Sequence, residues 1–203
     1  MSATQLSIAK ADLLRGKVNE AYSAAATRPG QKHPFPLGRG LAENLGYPPE
    51  IVDNVPETSI ETFAGVSNVS LFADLPLGAT VLDLGCGAGM DSIIAARRVG
   101  PSGRVIGVDF SEAMLNRARS GKELANLPHL QFQRGDAEGL PLASQSVDVA
   151  MVNGIFNLNP KRTEIFSELV RVLRPGGRAY VAELILTGPL PEAEHTSESN
   201  WFA

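Results

Sequence analysis

Over the first 27 positions, Leu14, Val18, Ala21, Tyr22 and Ala25 recur at helical spacing in an Ala-rich background. This predicts a helix that Gly16 weakens but does not end. Residues 28–49 hold five prolines and four glycines in 22 positions and read as a loop that wraps a surface or links the helix to the body. Short helices are expected after Pro48-Pro49 and over 68–75, the second with Val69, Phe72 and Leu75 on one face.

From residue 80 the pattern becomes regular. Residues 80–84 form a buried apolar strand, 85–89 a glycine loop, and 90–99 a helix stopped by Gly100-Pro101. A second strand over 104–108 ends at Asp109. Ser111 caps a helix reaching about residue 125, and 130–134 and 147–152 are the third and fourth strands. Asn159 as N-cap and Pro160 at N1 open a helix through Leu173, with Ile165, Phe166, Leu169, Val170 and Leu173 as its buried face. Pro175-Gly176-Gly177 closes it before a fifth strand over 178–186. Strands alternating with helices imply parallel pairing through right-handed crossovers, with both faces of the sheet covered. The expected architecture is an open, doubly wound, mainly parallel α/β sheet, which binds ligands at the carboxyl ends of its strands.

Composition narrows the classes. With 43% apolar and 20% charged residues, the 203-residue chain has the makings of a packed core, which excludes a disordered tail or a collagen-like rod. A net charge of −4 without a long Lys/Arg run argues against nucleic acid as a partner. The single cysteine, Cys86, can form neither an intrachain disulfide nor a thiolate metal cluster, and no metal site is expected. No apolar run approaches the ~20 residues that span a bilayer. Residues 1–15 lack the apolar core of a signal peptide and carry Asp12, so a cytoplasmic protein without membrane association is expected.

The candidate chemistry lies in Asp83-Leu84-Gly85-Cys86-Gly87-Ala88-Gly89, between a strand and a helix. Glycines allow a ligand close to the backbone, and the helix start offers free N–H groups. Asp109, 24 residues after Gly85 at the end of the next strand, can accept from both hydroxyls of an unphosphorylated ribose. The dinucleotide fingerprint Gly-x-Gly-x-x-Gly requires glycine at position 90, where this chain has Met90. Asp83 disfavours a pyrophosphate and favours an α-ammonium. S-adenosylmethionine therefore fits better than NAD. Asp136 at the same sheet edge can accept from an adenine amine, and Ala137 offers a backbone N–H. Phe110 and Met114 can pack on the ring faces.

The segments 81–89, Gly107-Val108-Asp109, 135–141 (Gly-Asp-Ala-Glu-Gly-Leu-Pro) and Leu173-Arg174-Pro175-Gly176-Gly177 resemble the class I S-adenosylmethionine-dependent methyltransferases over about residues 75–186. The resemblance implies an S-adenosylmethionine-binding methyltransferase domain over 76–203, with residues 1–75 as a helical extension and cap. It also implies a cofactor site of Asp83, Gly85, Cys86, Gly87, Gly89, Asp109, Phe110, Met114, Gly135, Asp136, Ala137 and Asn153. Asp83 and the glycines would hold the methionine part, Asp109 the ribose and Asp136-Ala137 the adenine. Asn153 would line the methyl-transfer pocket.

Leu45-Gly46-Tyr47, Val55-Pro56, Gly65-Val66-Ser67-Asn68 and 153–158 (Asn-Gly-Ile-Phe-Asn-Leu) are similar to the arsenite methyltransferase subfamily. That subfamily usually carries arsenic-binding cysteines at positions matched here by Val66 and Gly154. Soft trivalent arsenic needs several thiolates, so this chain is not expected to bind it in that way. Tyr22-Ser23 resembles a segment that folds over the cofactor. Class I enzymes end in a reversed strand hairpin, and the 17 residues after Leu186 are too few to supply one. The fifth strand is then expected to be an exposed apolar edge that favours a homodimer. None of His33, His129 and His195 is assigned as a base, and the catalytic residues stay unassigned. The reading is a methyltransferase for an unidentified small molecule that releases S-adenosylhomocysteine. A cofactor-binding protein without turnover, a diverged arsenite methyltransferase homologue and an NAD-dependent oxidoreductase are the alternatives.

Overall fold

The computed structural model describes residues 3–185 and 187–188, with side chains from Leu13 onward. Five strands, β1 (Thr80–Leu84), β2 (Arg104–Asp109), β3 (Leu130–Arg134), β4 (Val147–Asn153) and β5 (Leu173–Ala182), form one sheet in the order β3-β2-β1-β4-β5. Every pairing is parallel, as the expected architecture requires. Side chains alternate between two apolar layers with the period of a strand. Val81, Val105, Val149 and Met151 face one cluster; Leu82, Leu84, Ile106, Val108, Ala150 and Val152 face the other.

The first layer is closed by α6 (Met90–Val99), by the short helices α2 (Gly38–Asn44), α3 (Pro49–Val52), α4 (Glu57–Ile60) and α5 (Val69–Phe72), and by residues 125–132 that follow α7 (Glu112–Ala125). Tyr47, Val52, Ile60 and Val69 share that cluster with Val81 and Met151, so the segment before β1 covers the sheet directly. α8 (Arg162–Val172) closes the second layer through Ile165, Leu169 and Val172. α1 (Ala3–Thr27) packs against α7 and buries Val18, Ala25 and Ala26. Arg117 on α7 ties these elements together. It donates to the carbonyls of Thr58 (2.9 Å) and Ala26 (3.0 Å) and pairs with Glu61.

The structure corrects several expected boundaries. The Pro/Gly-rich segment 28–49 is not all loop, because α2 forms in it and buries Ala42. α4 had no sequence signal. Phe72 is half exposed and meets the Tyr180 ring edge-on at 6.3 Å rather than joining Val69 and Leu75 in the core. α8 begins at Arg162: the Asn159 side chain takes the Lys161 N–H (2.8 Å) in a turn before the helix and does not cap it. Phe166 and Val170 lie on its outer side, 53% and 76% exposed. Pro175-Gly176-Gly177 lies within β5, where pairing jumps from Val147–Leu173 to Val149–Arg178. The bulge absorbs the proline, which has no N–H to give a ladder. β5 ends at Ala182. The expected strand end at Leu186 and the segment where a terminal hairpin was judged missing fall outside the described residues, apart from 187–188, as does His195.

Candidate functional site

At the carboxyl ends of β1, β2 and β4, the reversal of strand order between β1 and β4 opens a cleft. Its wall includes Asp83, Leu84, Gly85, Cys86 and Gly87 from β1 and its loop, Met90 and Asp91 from α6, Asp109 at the end of β2, and Phe110 and Met114 beyond it. Gly135, Asp136, Ala137 and Glu138 line it after β3, Asn153 at the end of β4, and Gly154, Ile155, Leu158 and Asn159 after β4. Arg15, Val18 and Tyr22 of α1 close one side; Ser59, Thr62, Phe63, Ala64 and Gly65 close another.

Two glycines show why the loop is built as it is. Gly87 has φ +52°, and a Cβ there would meet nothing within 4 Å, so the backbone faces open space. At Gly85 a Cβ would stand 2.4 Å from Ile155 Cγ2, so any side chain would force apart the β1 and β4 loops. Gly89, expected in the cofactor wall, does not line the cleft. A Cβ there would strike the Phe132 ring at 2.6 Å, which makes Gly89 a packing position between α6 and β3.

Three carboxylates are buried around this loop. Asp109 Oδ2 accepts from the Gly87 N–H (2.9 Å) and Oδ1 from the Ser111 N–H (2.8 Å). Burial pushes its pKa up, and these backbone donors oppose the shift. Asp83 accepts from the Ser92 hydroxyl (2.5 Å); burial, then repulsion from Asp91, pushes it up to about 8. Asp91, at the start of α6, accepts from the Tyr47 hydroxyl (2.5 Å), the Ser70 hydroxyl and Asn153 Nδ2 (2.9 Å). Burial raises it as well. Among the described residues no salt bridge reaches any of the three. The Cys86 thiol is pushed well above its ordinary range by burial, then by Asp109 and Asp83.

Asn153 has no hydrogen-bonding capacity left for a ligand. Its Oδ1 accepts from the backbone N–H groups of Val66 (2.9 Å) and Ser67 (3.1 Å), and its Nδ2 donates to Ser67 O (2.8 Å) and Asp91 Oδ2. A primary amide has two acceptor sites and two donors, and all four are used. Asn153 therefore lines the cleft as a clamp on residues 66–67 rather than as a polar group facing a methyl. Beside it, a Cβ on Gly154 would lie 2.9 Å from Val66 Cγ1, so the Val66 side chain packs directly on this wall glycine.

The remaining wall comes from α1. Arg15 pairs with Asp136 and with Glu138 (2.6 Å), and the Ser23 and Ser111 hydroxyls meet at 3.2 Å. The Tyr22 ring stacks on Phe35 at 4.6 Å, and its hydroxyl pKa is raised by burial, then by Asp109 and Glu183. His33 and His129 bond to the carbonyls of Arg28 and Ala96, each at 2.9 Å, and neither lines the cleft. The structure thus brings eleven of the twelve predicted residues to one cleft. Sequence reasoning missed Asp91, Arg15 and Thr62. Asp91 carries the one usable signal, an acidic residue in the first turn of an otherwise apolar helix face.

A family model described as a methyltransferase domain matches residues 77–202. The chain is 39% identical over 151 residues to an arsenite methyltransferase of Halobacterium salinarum, covering 74% of this chain and 38% of that protein. It is 38% identical over 106 residues to a demethylmenaquinone methyltransferase of Lactococcus lactis, covering 52% of this chain and 42% of that one. Among solved structures, an arsenic(III) S-adenosylmethionine methyltransferase from Chlamydomonas reinhardtii superposes with a TM-score of 0.62 at 28% identity, over 82% of this chain and 57% of that one. The chain thus spans about two fifths of the length of these two curated relatives.

Proposed function

Because this chain belongs to the class I S-adenosylmethionine-dependent methyltransferases, we propose that it moves the methyl group of that cofactor to a small-molecule acceptor at the mouth of the cleft. The observation that carries this reading is the ring of buried carboxylates around an open glycine loop, with no salt bridge to any of them among the described residues. Such a wall repels a dinucleotide pyrophosphate and suits a cationic cofactor with bare ribose hydroxyls.

In this assignment Asp83 faces the ammonium, the Gly85–Gly87 backbone cradles the methionine tail, and Asp109 keeps lone pairs for the ribose after taking the Gly87 and Ser111 N–H groups. Asp136 and the Ala137 N–H meet the adenine edge, with Phe110 and Met114 against its faces. The bound cofactor supplies a methyl already activated on a positive sulphur. Its leaving group is neutral, so the protein's task is to align the acceptor and exclude water. Val18, Tyr22, Phe63, Ile155 and Leu158 give the acceptor end an apolar lining. With valine at 66 and glycine at 154, Cys86 is the single thiol lining the cleft, and one thiol does not supply the set that trivalent arsenic needs, which speaks against arsenite and for an organic acceptor.

We also place the enzyme in the cytoplasm and expect it to pair through the β5 edge, where Val181 on the strand and Leu184 and Ile185 just beyond it are exposed. Among the described residues no helix is long and apolar enough to cross a membrane. Titration calorimetry with S-adenosylmethionine, S-adenosylhomocysteine and NAD tests the reading. Saturable binding of the first two is expected, and tight NAD binding with silence toward the others would refute it. A panel of hydroxyl, amine, thiol and carbon acceptors with a methyl-labelled cofactor then separates turnover from binding alone.

A further inference from the structure

Asp91 has no place in that assignment, yet the fold encloses it with care. It is 6% exposed, lines the cleft, and receives three hydrogen bonds from three separate elements: Tyr47 before α3, Ser70 on α5 and Asn153 at the end of β4. All three donors are neutral. They fix the carboxylate without cancelling its charge, and Asn153 spends one bond on Oδ2, which leaves that oxygen a second acceptor site. Asp83, on β1, is close enough to repel it. Among the described residues no basic side chain pairs with either acid, Asp83 on β1 or Asp91, which Asn153 ties to the end of β4. A second observation marks the same wall as a ligand surface: the Thr62 hydroxyl is buried there without a partner, free to meet a bound carboxylate.

We propose that Asp91 reads the charge on the cofactor's sulphur. Its carboxylate faces the sulfonium at the β4 end while Asp83 faces the ammonium, and it distinguishes the methyl-bearing cofactor from the demethylated product. The inference rests on the cofactor reading above. The cofactor brings two positive centres to two carboxylates; the product keeps only the ammonium and leaves Asp91 uncompensated. Burying a charge is costly unless it is paired, so the site favours the charged form and releases the thioether.

Other ionisable groups face this region from the surrounding elements. They are Asp109 from β2, Tyr47 from the turn before α3, and Tyr22 and Arg15 from α1, with Arg15 already engaged by Asp136 and Glu138.

The test is calorimetric titration of wild type and Asp91→Asn with S-adenosylmethionine and with S-adenosylhomocysteine. In Asp91→Asn the affinity for S-adenosylmethionine should fall at least about tenfold relative to that for S-adenosylhomocysteine, as expected for losing one buried charge pair. A ratio unchanged within twofold in Asp91→Asn, with both nucleosides still bound, overturns the proposal and leaves the cofactor reading intact. Failure of wild type to bind either nucleoside overturns both. Should Asp91→Asn not fold, Asp91→Ser, which keeps a hydrogen-bonding group without the charge, takes its place in the same titration with the same two outcomes.

Discussion

Replacing Asp109 by alanine separates a structural from a ligand-binding role in one experiment. The side chain is 7% exposed and accepts the Gly87 N–H at 2.9 Å and the Ser111 N–H at 2.8 Å. Alanine leaves both donors without that partner, and a buried unsatisfied group costs about 1–3 kcal/mol. Removing a carboxylate whose burial already raises its pKa offsets part of that. A net stability loss of roughly 1–3 kcal/mol is expected by urea unfolding. The effect on ligand binding is larger. Two ribose hydroxyls donating to a carboxylate contribute about 1.5–3 kcal/mol each. Losing the lower total, about 3 kcal/mol, weakens binding by roughly two orders of magnitude. Titration with S-adenosylhomocysteine measures this, and Asp109→Asn, which keeps one acceptor oxygen, should fall between wild type and Asp109→Ala. A folded Asp109→Ala protein that binds within threefold of wild type would refute the ribose assignment.

Two further outcomes follow from the same structure. Burial and Asp91 push Asp83 up to about 8, above its ordinary carboxylate value of 3.8, so the native state holds a proton that the unfolded chain has released. Its contribution to stability is therefore fully present below about pH 4 and is lost as pH rises to about 8; urea unfolding from pH 5 to 8 should show that decline, and Asp83→Asn should flatten it. At the sheet edge, Val181→Lys puts a charge on an exposed strand and should shift a dimer seen by light scattering to monomer, whereas a wild-type protein that is monomeric at high concentration removes the pairing proposal.

The sheet was legible in the chain because β1, β2 and β4 are largely apolar runs that end next to Gly or Asp, and β3 alternates Leu130 and Phe132 with polar residues before Gly135. β1, β3 and α6 fall where the pattern puts them, and the Ser111 hydroxyl caps α7 by accepting the Met114 N–H. The outer parts were less legible. α2 contains Gly38 and Gly40, and burial of Ala42 in the core overrides their weak propensity. In α8, apolar residues on both sides of the stripe exceed what one sheet face can cover, so periodicity alone could not assign Phe166 and Val170 to the outside. In the site, the glycine loop with Asp83, Asp109 and Asp136 was readable because each stands at the carboxyl end of a strand. Asp91 was not, since an acid in a first helical turn ordinarily complements the helix dipole in solvent. The role of Asn153 depends on partners 86 and 87 positions away, which no local pattern reveals.

The amide of Asn153 grips residues 66 and 67 only by their peptide groups. The clasp is indifferent to which side chains those residues carry. Residue 66, packed on the reaction chamber's wall glycine at 154, can therefore be exchanged while the loop keeps its anchorage; position 154 itself stays glycine, because its φ of +78° strains any other residue. A lineage, or an engineer, could thus change what the chamber admits without rebuilding the part that holds the methyl donor.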